Sequence, residues 1–257
     1  MLIATWNVNS LNARLERVLE WTESVSPEVL CLQETKLAED AFPYREFAAL
    51  GYEVAHHGQG QWNGVAVCSR VGLANVVRGF AEGVEADPDA RCLTAECSGV
   101  IVTSVYVPNG REVGHDHYIY KLSWLERLVA HLSKVASPGD DVVVLGDWNI
   151  IPDDRDVWDP RAFDGETHVT PAERSALDRV KAWGLTDVFR ELYPESGLYS
   201  YWDYRDGAFY KRHGLRIDYA LVSDTVRSRT RSMIVDRNAR KGTKPSDHTS
   251  VVLELTD

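Results

Sequence analysis

The chain has 257 residues, of which 44% are apolar and 26% charged, and its formal net charge is −11. It contains no run of 18 apolar residues and no basic start before an apolar stretch, so neither a membrane span nor a signal peptide is expected. The acidic charge excludes a uniformly basic nucleic-acid binder, and phosphate binding would have to rely on local clusters such as 211–213 and 237–244.

Strand-like and helix-like segments alternate along the chain. Apolar runs predict strands at 2–7 and 28–33, with a helix of regular apolar spacing over 12–25 between them. Thr170, Pro171 and Glu173 form the N-terminal signature of a helix over 171–183. Further helices are predicted at 43–50, 116–136 and 186–192, and further strands at 52–57, 64–69, 73–79, 91–97, 100–107, 142–145, 199–202, 217–223, 231–236 and 249–255.

This order of elements predicts an α/β protein. The consecutive strands between 52 and 107 favour antiparallel pairing, and two packed sheets flanked by helices would bury so many apolar strands. No linker divides the chain, so residues 1–257 are predicted to form a single domain. The four cysteines form no CxxC pair, which argues against zinc and redox motifs. Cys31 and Cys68 lie in apolar runs, where a buried reduced thiol is the simplest interpretation, and a reducing cytoplasm fits.

Six short polar segments, most of them at the end of an apolar run, are the main functional signal. Each alone is explained as well by a solvated loop or an Asx turn, but six in order favour one shared cleft. Their side chains suit a hard divalent cation, a reactive water and a phosphate. The segments are Thr5–Asn9, Leu32–Lys36, Tyr106–Asn109, Gly146–Asn149, Arg216–Tyr219 and Ser246–His248.

Residue type suggests a role for several members of these segments. Glu34, with Asn7 beside it, could bind Mg²⁺ through oxygen. Asp147 could orient or deprotonate a water, and Asn149 two residues later could donate to a developing negative oxygen. His248 follows a carboxylate and could contact phosphate when protonated. Asp218 is the natural partner to orient the His248 ring. Tyr106 and Asn109 are suitable donors to phosphate oxygens.

Taken together, the segments resemble the exonuclease III family of abasic-site (AP) endonucleases, within the DNase I-like endonuclease/exonuclease/phosphatase superfamily. The likeness extends from Thr5 to Leu255, and the stretch from Ser200 to Asp218 resembles the bacterial exonuclease III branch. The resemblance implies a four-layer α/β sandwich, with two facing mixed β-sheets flanked by helices. Positions 9 and 215 are Asn and Leu, where vertebrate-type members carry Asp and Trp.

The resemblance also implies roles for individual residues. The metal would be Mg²⁺ or Mn²⁺, with Glu34 as the principal ligand. Catalysis would involve Tyr106, Asp147, Asn149, Asp218 and His248. The oxygen-bearing residues expected around the metal are Asn7, Glu34, Asp147, Asn149 and Asp247, with Asn9 close by. The residues expected to contact substrate are Asn109, Arg111, Tyr201, Trp202, Arg205, Leu215, Arg216 and Ile217.

The implied activity is hydrolysis of DNA backbone 5′ to abasic sites, trimming of 3′ ends, or both. The implied partner is duplex DNA with abasic sites or blocked 3′ ends. The protein is expected to act as a monomer, without contact to a membrane, in the cytoplasm and, in a bacterium, at the nucleoid. A basic crescent around the site is expected from Arg205, Lys211, Arg212, Arg216, Lys241 and Lys244. Two alternatives remain: a same-fold nuclease acting on RNA or another phosphoester, and a non-catalytic nucleic-acid-binding relative.

Overall fold

A computed structural model describes residues 1–256, in which twelve strands form two six-stranded sheets. The strands are β1 (Leu2–Asn7), β2 (Val29–Gln33), β3 (Glu53–His57), β4 (Val65–Ser69), β5 (Ala74–Arg78), β6 (Cys92–Cys97), β7 (Val100–Tyr106), β8 (Val142–Asp147), β9 (Leu185–Thr186), β10 (Asp218–Ser223), β11 (Thr230–Asp236) and β12 (Ser250–Leu255). The helices are α1 (Leu11–Val25), α2 (Tyr44–Ala49), α3 (Asp116–Val135), α4 (Pro171–Ala182), α5 (Val188–Leu192), α6 (Ala208–Lys211) and α7 (Asp224–Arg227).

Both sheets are mixed. The first has the order β11-β12-β1-β2-β4-β3, and the second the order β5-β6-β7-β8-β10-β9. In the first sheet β1 runs parallel to β2 and antiparallel to β12. In the second, β8 runs parallel to β7 and antiparallel to β10. The two sheets face each other with helices outside, which confirms the predicted four-layer α/β sandwich.

Apolar burial explains this layering. All six residues of β8 are buried, as expected for a strand covered on both faces. On the first sheet, Val18 and Trp21 of α1 pack against Trp6 of β1, with the two indole rings 5.4 Å apart. On the second sheet, Leu125 and Leu128 of α3 belong to the large cluster that continues between the sheets.

Two differences from the predicted elements concern strand pairing; in addition, the short elements β9, α6 and α7 were not predicted. The strand predicted at 199–202 is wrong, since Tyr201 makes only isolated bridges to Leu215 and His248. This segment crosses between the two sheets, and its backbone hydrogen bonds go to separate partners. The alternation of a strand therefore fails: Tyr199 and Trp202, which would face opposite sides of a strand, lie in the same small cluster. The predicted run of strands from 52 to 107 is antiparallel within each sheet, but the chain changes sheet between β4 and β5.

The structure also bears on membrane-spanning helices and on the cysteines. None of the helices within residues 1–256 is long and apolar enough to cross a membrane. All four cysteines are buried free thiols.

Candidate active site

The ends of five strands meet where the two sheets adjoin. Because β1 and β2 run parallel and end together, Glu34 emerges beside Asn7. In the other sheet, Asp147 at the end of β8 lies between Tyr106 on β7 and Asp218 on β10. A side chain at position 146 would come within 2.0 Å of a β7 carbonyl, so this close strand approach requires glycine.

Asn7 joins the two sheets within the site. Its fully buried amide Nδ2 donates to Glu34 Oε1 at 2.9 Å and to Asp147 Oδ2 at 2.8 Å. Ligand atoms of Glu34, Asp147 and His248 all lie within 4.8 Å of one another. The structure therefore brings together residues from positions 7, 34, 147 and 248, as the shared-cleft prediction required.

The Glu34 side of the cluster contains a lysine to which the sequence reasoning gave no role. Lys36 Nζ lies 2.9 Å from Glu34 Oε2 and donates to Asn9 Oδ1 at 2.6 Å. Asn9 Nδ2 in turn donates to Asp247 Oδ1 at 3.1 Å. Burial by itself would raise the pKa of Glu34, but Lys36 and the Asn7 amide lower it below its usual value, so the carboxylate is charged.

The His248 ring is held by a buried carboxylate. Asp218 Oδ2 lies 2.8 Å from His248 Nδ1, and Ser200 Oγ donates to the same carboxylate oxygen at 2.7 Å. Burial alone would lower the pKa of His248, but the carboxylates of Asp218 and Asp147 raise it to about 10. His248 is therefore an imidazolium at neutral pH, with Nε2 turned toward Asp147 at 3.8 Å.

Asp147 and Tyr106 are the two candidates for the base that activates water. Burial, together with the nearby charges of Asp218 and Glu34, raises the pKa of Asp147, although the charge of His248 opposes this. The raised pKa brings the Asp147 carboxyl group toward the range of a general base. Burial and the charge of Glu34 hold the pKa of Tyr106 well above its usual value. A phenolate is thus disfavoured, and the two pKa shifts favour Asp147 as the base.

Two asparagines line the opposite side of the cleft. Asn149 Nδ2 donates to the Val107 carbonyl at 2.9 Å, and Asn109 Nδ2 donates to Asn149 Oδ1 at 3.3 Å. The backbone N–H of Asn149 also bonds to Asp147 Oδ1 at 3.0 Å. These contacts give both carboxamides a defined orientation beside the proposed base.

A cavity of about 500 Å³ opens over this cluster, a size typical of small-ligand sites. Its lining includes Tyr201, Arg205, Leu215 and Ile217, which were predicted to contact substrate, and Asp247, which was predicted to lie near the metal, together with Asp203 and His213. Trp158, Phe163 and His168 also line it and were missed. They lie in the irregular stretch between β8 and α4, where no periodicity marks a residue as facing the site. The Trp158 and His213 rings stack with their centroids 3.8 Å apart.

Three predicted substrate contacts lie outside this cavity. Arg216 is fully buried in ion pairs with Asp156 and Asp187, so its assignment to substrate and to the basic crescent is wrong. Trp202 is 2% exposed and packs edge-on against Phe209, behind the cavity wall. Arg111 is exposed and does not line the cavity.

The other five members of the expected basic crescent are exposed. Beside the cavity runs a groove of about 690 Å³ whose lining includes Arg212, Arg237, Arg240 and Lys241, with Asp203 as its acidic member. Lys244 lines a neighbouring depression with Arg14 and Arg17. One flank of the cleft therefore carries positive charge although the whole chain is acidic.

The donor set fits a hard divalent cation. Glu34 and Asp247 offer carboxylate oxygens and Asn7 an amide oxygen, whereas the imidazole of His248 is protonated and bonded to Asp218. Four carboxylates at positions 34, 147, 218 and 247 face two cationic groups at 36 and 248. A site with this excess of negative charge needs a further cation before it can accept an anionic phosphate.

Comparison with known proteins agrees with this geometry. Residues 4–248 match the model of the Endonuclease/Exonuclease/phosphatase family. Exodeoxyribonuclease III of Haemophilus influenzae is 32% identical over 99% of this chain and all of its own length. An AP endonuclease from Archaeoglobus fulgidus has 33% identity and a TM-score of 0.95, with 99% of each chain covered. The 3′ phosphatase NExo from Neisseria, in a complex with product DNA hairpin, has 36% identity and a TM-score of 0.95 over 100% of this chain and 99% of its own. The chain belongs to the Endonuclease/Exonuclease/phosphatase family.

Proposed function

We propose that this protein is a Mg²⁺-dependent DNA-repair hydrolase that cleaves phosphoesters in duplex DNA, at the backbone 5′ to abasic sites, at blocked 3′ ends, or at both. The observation that carries the proposal is the meeting of Glu34, Asp147 and His248 at one cavity, where Asn7 donates to both carboxylates and Asp218 holds the His248 ring. Exonuclease III, AP endonuclease and 3′ phosphatase relatives all perform, by their names, phosphoester chemistry on DNA.

The residues supply the groups that this hydrolysis needs. Asp147 accepts a proton from water as the water oxygen forms a bond to phosphorus. The bond between phosphorus and the 3′ oxygen breaks on the opposite side, and the departing oxyanion takes a proton from solvent water to become a 3′-hydroxyl. With a terminal 3′-phosphate the same step releases inorganic phosphate. His248 donates a hydrogen bond through Nε2 to a non-bridging oxygen, and Asn149 donates to the same developing charge.

The expected metal ligand is Glu34, with Asn7 and Asp247 close enough to contribute directly or through water. A bound Mg²⁺ would neutralise phosphate charge and stabilise the leaving oxygen. Tyr106 and Asn109 line the cavity and are donors to the scissile phosphate. Tyr201, Leu215 and Ile217 form an apolar wall suited to a sugar that lacks its base.

Duplex DNA is the polyanion that best explains the basic flank. Arg205 lies at the cavity itself, and the adjoining groove would follow a strand backbone. All site residues come from one chain, so a monomer suffices. With chromosomal DNA as substrate, the expected location is the cytoplasm, at the nucleoid in a bacterium.

Four labelled substrates test this proposal: a duplex with a central abasic analogue, a nicked duplex with a 3′-phosphate, an intact blunt duplex, and an RNA of the same sequence. Each is incubated with Mg²⁺ or EDTA and resolved on a gel. We expect Mg²⁺-dependent cleavage of at least one DNA substrate, and its loss in Asp147→Asn. Asp178→Asn, an exposed carboxylate on α4, is the matched control that retains activity.

Two results would contradict the proposal. Degradation of RNA with all three DNA substrates intact would favour a same-fold ribonuclease. Tight DNA binding without cleavage in either condition would indicate a non-catalytic relative.

A further inference from the structure

A buried ion pair lies directly behind the two asparagines of the cleft. Lys121 of α3 and Glu173 of α4 are both 0% exposed and are joined through Nζ and Oε1. Fully buried lysines are rare and need partners for all three ammonium protons. The other two protons go to the backbone carbonyls of Asn149, at 2.6 Å, and Asn109, at 3.1 Å.

Glu173 is also fully engaged. Oε1 accepts from Thr167 Oγ1 at 2.8 Å and from the His168 backbone N–H at 2.9 Å, in addition to Lys121. Oε2 accepts from the backbone N–H and hydroxyl of Thr170, at 3.1 and 2.8 Å. Glu173 thus completes the capping box that begins α4, while its other oxygen holds the ammonium group.

Electrostatics support a charged pair. Burial lowers the pKa of Lys121, and Glu173 partly offsets that effect. Burial by itself would raise the pKa of Glu173, but Lys121 and the surrounding donors bring it below its usual value. A buried charged pair of this kind adds little stability, because the cost of desolvating the two charges offsets most of their attraction. It does require the groups that bond to Lys121 and Glu173 to keep well-defined positions.

We infer that Lys121 is a positioning residue for phosphoester hydrolysis, which sets the carboxamides of Asn109 and Asn149 by fixing the carbonyls of the same two residues. This inference rests on the proposed function. Asn149 has a φ of 50°, in the left-handed region, and the bond from Lys121 to its carbonyl helps to hold that conformation. A single ammonium group ties together two loops that follow different strands, β7 and β8.

The test compares Lys121→Met with Lys121→Arg, and with Lys134→Met as an exposed control on the same helix. We expect Lys121→Met to lower kcat by 10- to 100-fold with KM changed less than threefold, because the orientation of transition-state donors is lost while the basic flank is intact. Lys121→Arg keeps the charge and should recover part of kcat, and Lys134→Met should match the wild type.

A double-mutant cycle separates positioning from a general structural role. In a protein that already carries Asn109→Ala and Asn149→Ala, adding Lys121→Met should change kcat less than twofold. A further tenfold loss there, or an unchanged kcat in the single variant, would overturn the inference. If Lys121→Met folds poorly, the neutral double variant Lys121→Met, Glu173→Gln avoids leaving one buried charge alone and enters the same cycle.

A crystal structure of the variant gives a readout that does not depend on the substrate. The inference expects at least one of the two carboxamides to rotate or to become disordered, and unchanged carboxamides would overturn it. Should the wild type hydrolyse no DNA substrate, the proposed function fails, while this structural comparison still decides whether Lys121 sets the two side chains.

Discussion

Replacing Asp218 by Asn tests the electrostatic logic of the site most directly. The side chains are nearly equal in shape, and an amide oxygen can still accept the hydrogen bonds from Ser200 and from His248 Nδ1. The substitution therefore removes one negative charge from a buried position with little change in packing. Any change in turnover should come from the charge state of His248.

The structure contains its own reference for the size of the effect. His131 is buried without a carboxylate partner, and burial lowers its pKa to about 4, whereas the pKa of His248 is raised to about 10. With Asp218 neutral, the strongest opposing partner is gone, and Asp147, at 3.8 Å, and Asp247 are left to oppose burial. We expect the pKa of His248 to fall below about 7, so that less than about a tenth of the imidazole is protonated at pH 8.

The expected kinetic result is a loss of about 10²- to 10³-fold in kcat at pH 8, the usual effect of removing one donor to a developing negative oxygen. As the pH is lowered from 8 through 7 to 6, the ratio of Asp218→Asn activity to wild-type activity should rise again, because protonation of Asp147, whose pKa is also raised, lowers the activity of both proteins. The assay is kcat against pH on a single DNA substrate, with an NMR titration of the His248 ring. A ring that stays protonated above pH 8 in the variant, or a kcat within threefold of the wild type, would refute this reasoning.

The raised pKa of His248 also makes the stability of the fold depend on pH. Because the pKa of His248 in the folded state is above its unfolded value near 6.5, the group stabilises the fold fully below pH 6.5, and this contribution is lost as the pH rises toward 10. Urea unfolding of the wild type should show a free energy of unfolding that declines across this window. Asp218→Asn should flatten the decline.

Three further substitutions test separate parts of the site. Asp147→Asn should lower kcat by several orders of magnitude with an unchanged melting temperature by circular dichroism, because the base is lost while the fold is intact; near-normal turnover would rule out this role. EDTA should abolish cleavage, and Glu34→Gln should raise the Mg²⁺ concentration needed for half-maximal rate at least tenfold; an unchanged requirement would exclude Glu34 as a ligand. Arg216→Met removes the buried partner of Asp187 and one of the two arginines that pair with Asp156, the other being Arg190, so urea unfolding should show a loss of about 3 kcal/mol. If Arg216→Met instead weakened DNA binding in a fully stable protein, the assignment of Arg216 to the core would be wrong.

The sequence predicted the parts of the site that follow from strand ends. The apolar run before Gly146 is a strand, and Asp147 emerges from it into the cleft as expected. Arg216 was misassigned although a local signal existed. Leu215 and Ile217 face the cavity, and alternate residues of an extended segment face opposite ways, so Arg216 between them had to point into the core.

Other contacts had no local signal. Glu173 was predicted correctly as a helix-capping residue. Its second role, the ion pair with Lys121, was not predicted, because Lys121 lies more than 50 positions earlier and no residue near Glu173 in the sequence indicates the contact. His168 lies in irregular chain with a φ of 81°, where neither strand nor helix periodicity assigns a facing direction. Such contacts depend on how distant segments pack, which a pattern read along the chain does not contain.

The acidic net charge and a DNA substrate are compatible because electrostatic attraction in salt is local. At physiological ionic strength the Debye length is about 8 Å, so a phosphate in the groove responds mainly to the side chains that line it. There Arg212, Arg237, Arg240 and Lys241 outweigh Asp203. The acidic residues elsewhere are largely screened from that phosphate, and they repel intact duplex only where it comes close to their own surfaces. A chain with this distribution is therefore suited to gain its DNA affinity at the cleft itself, where the phosphate also meets the cation site and His248.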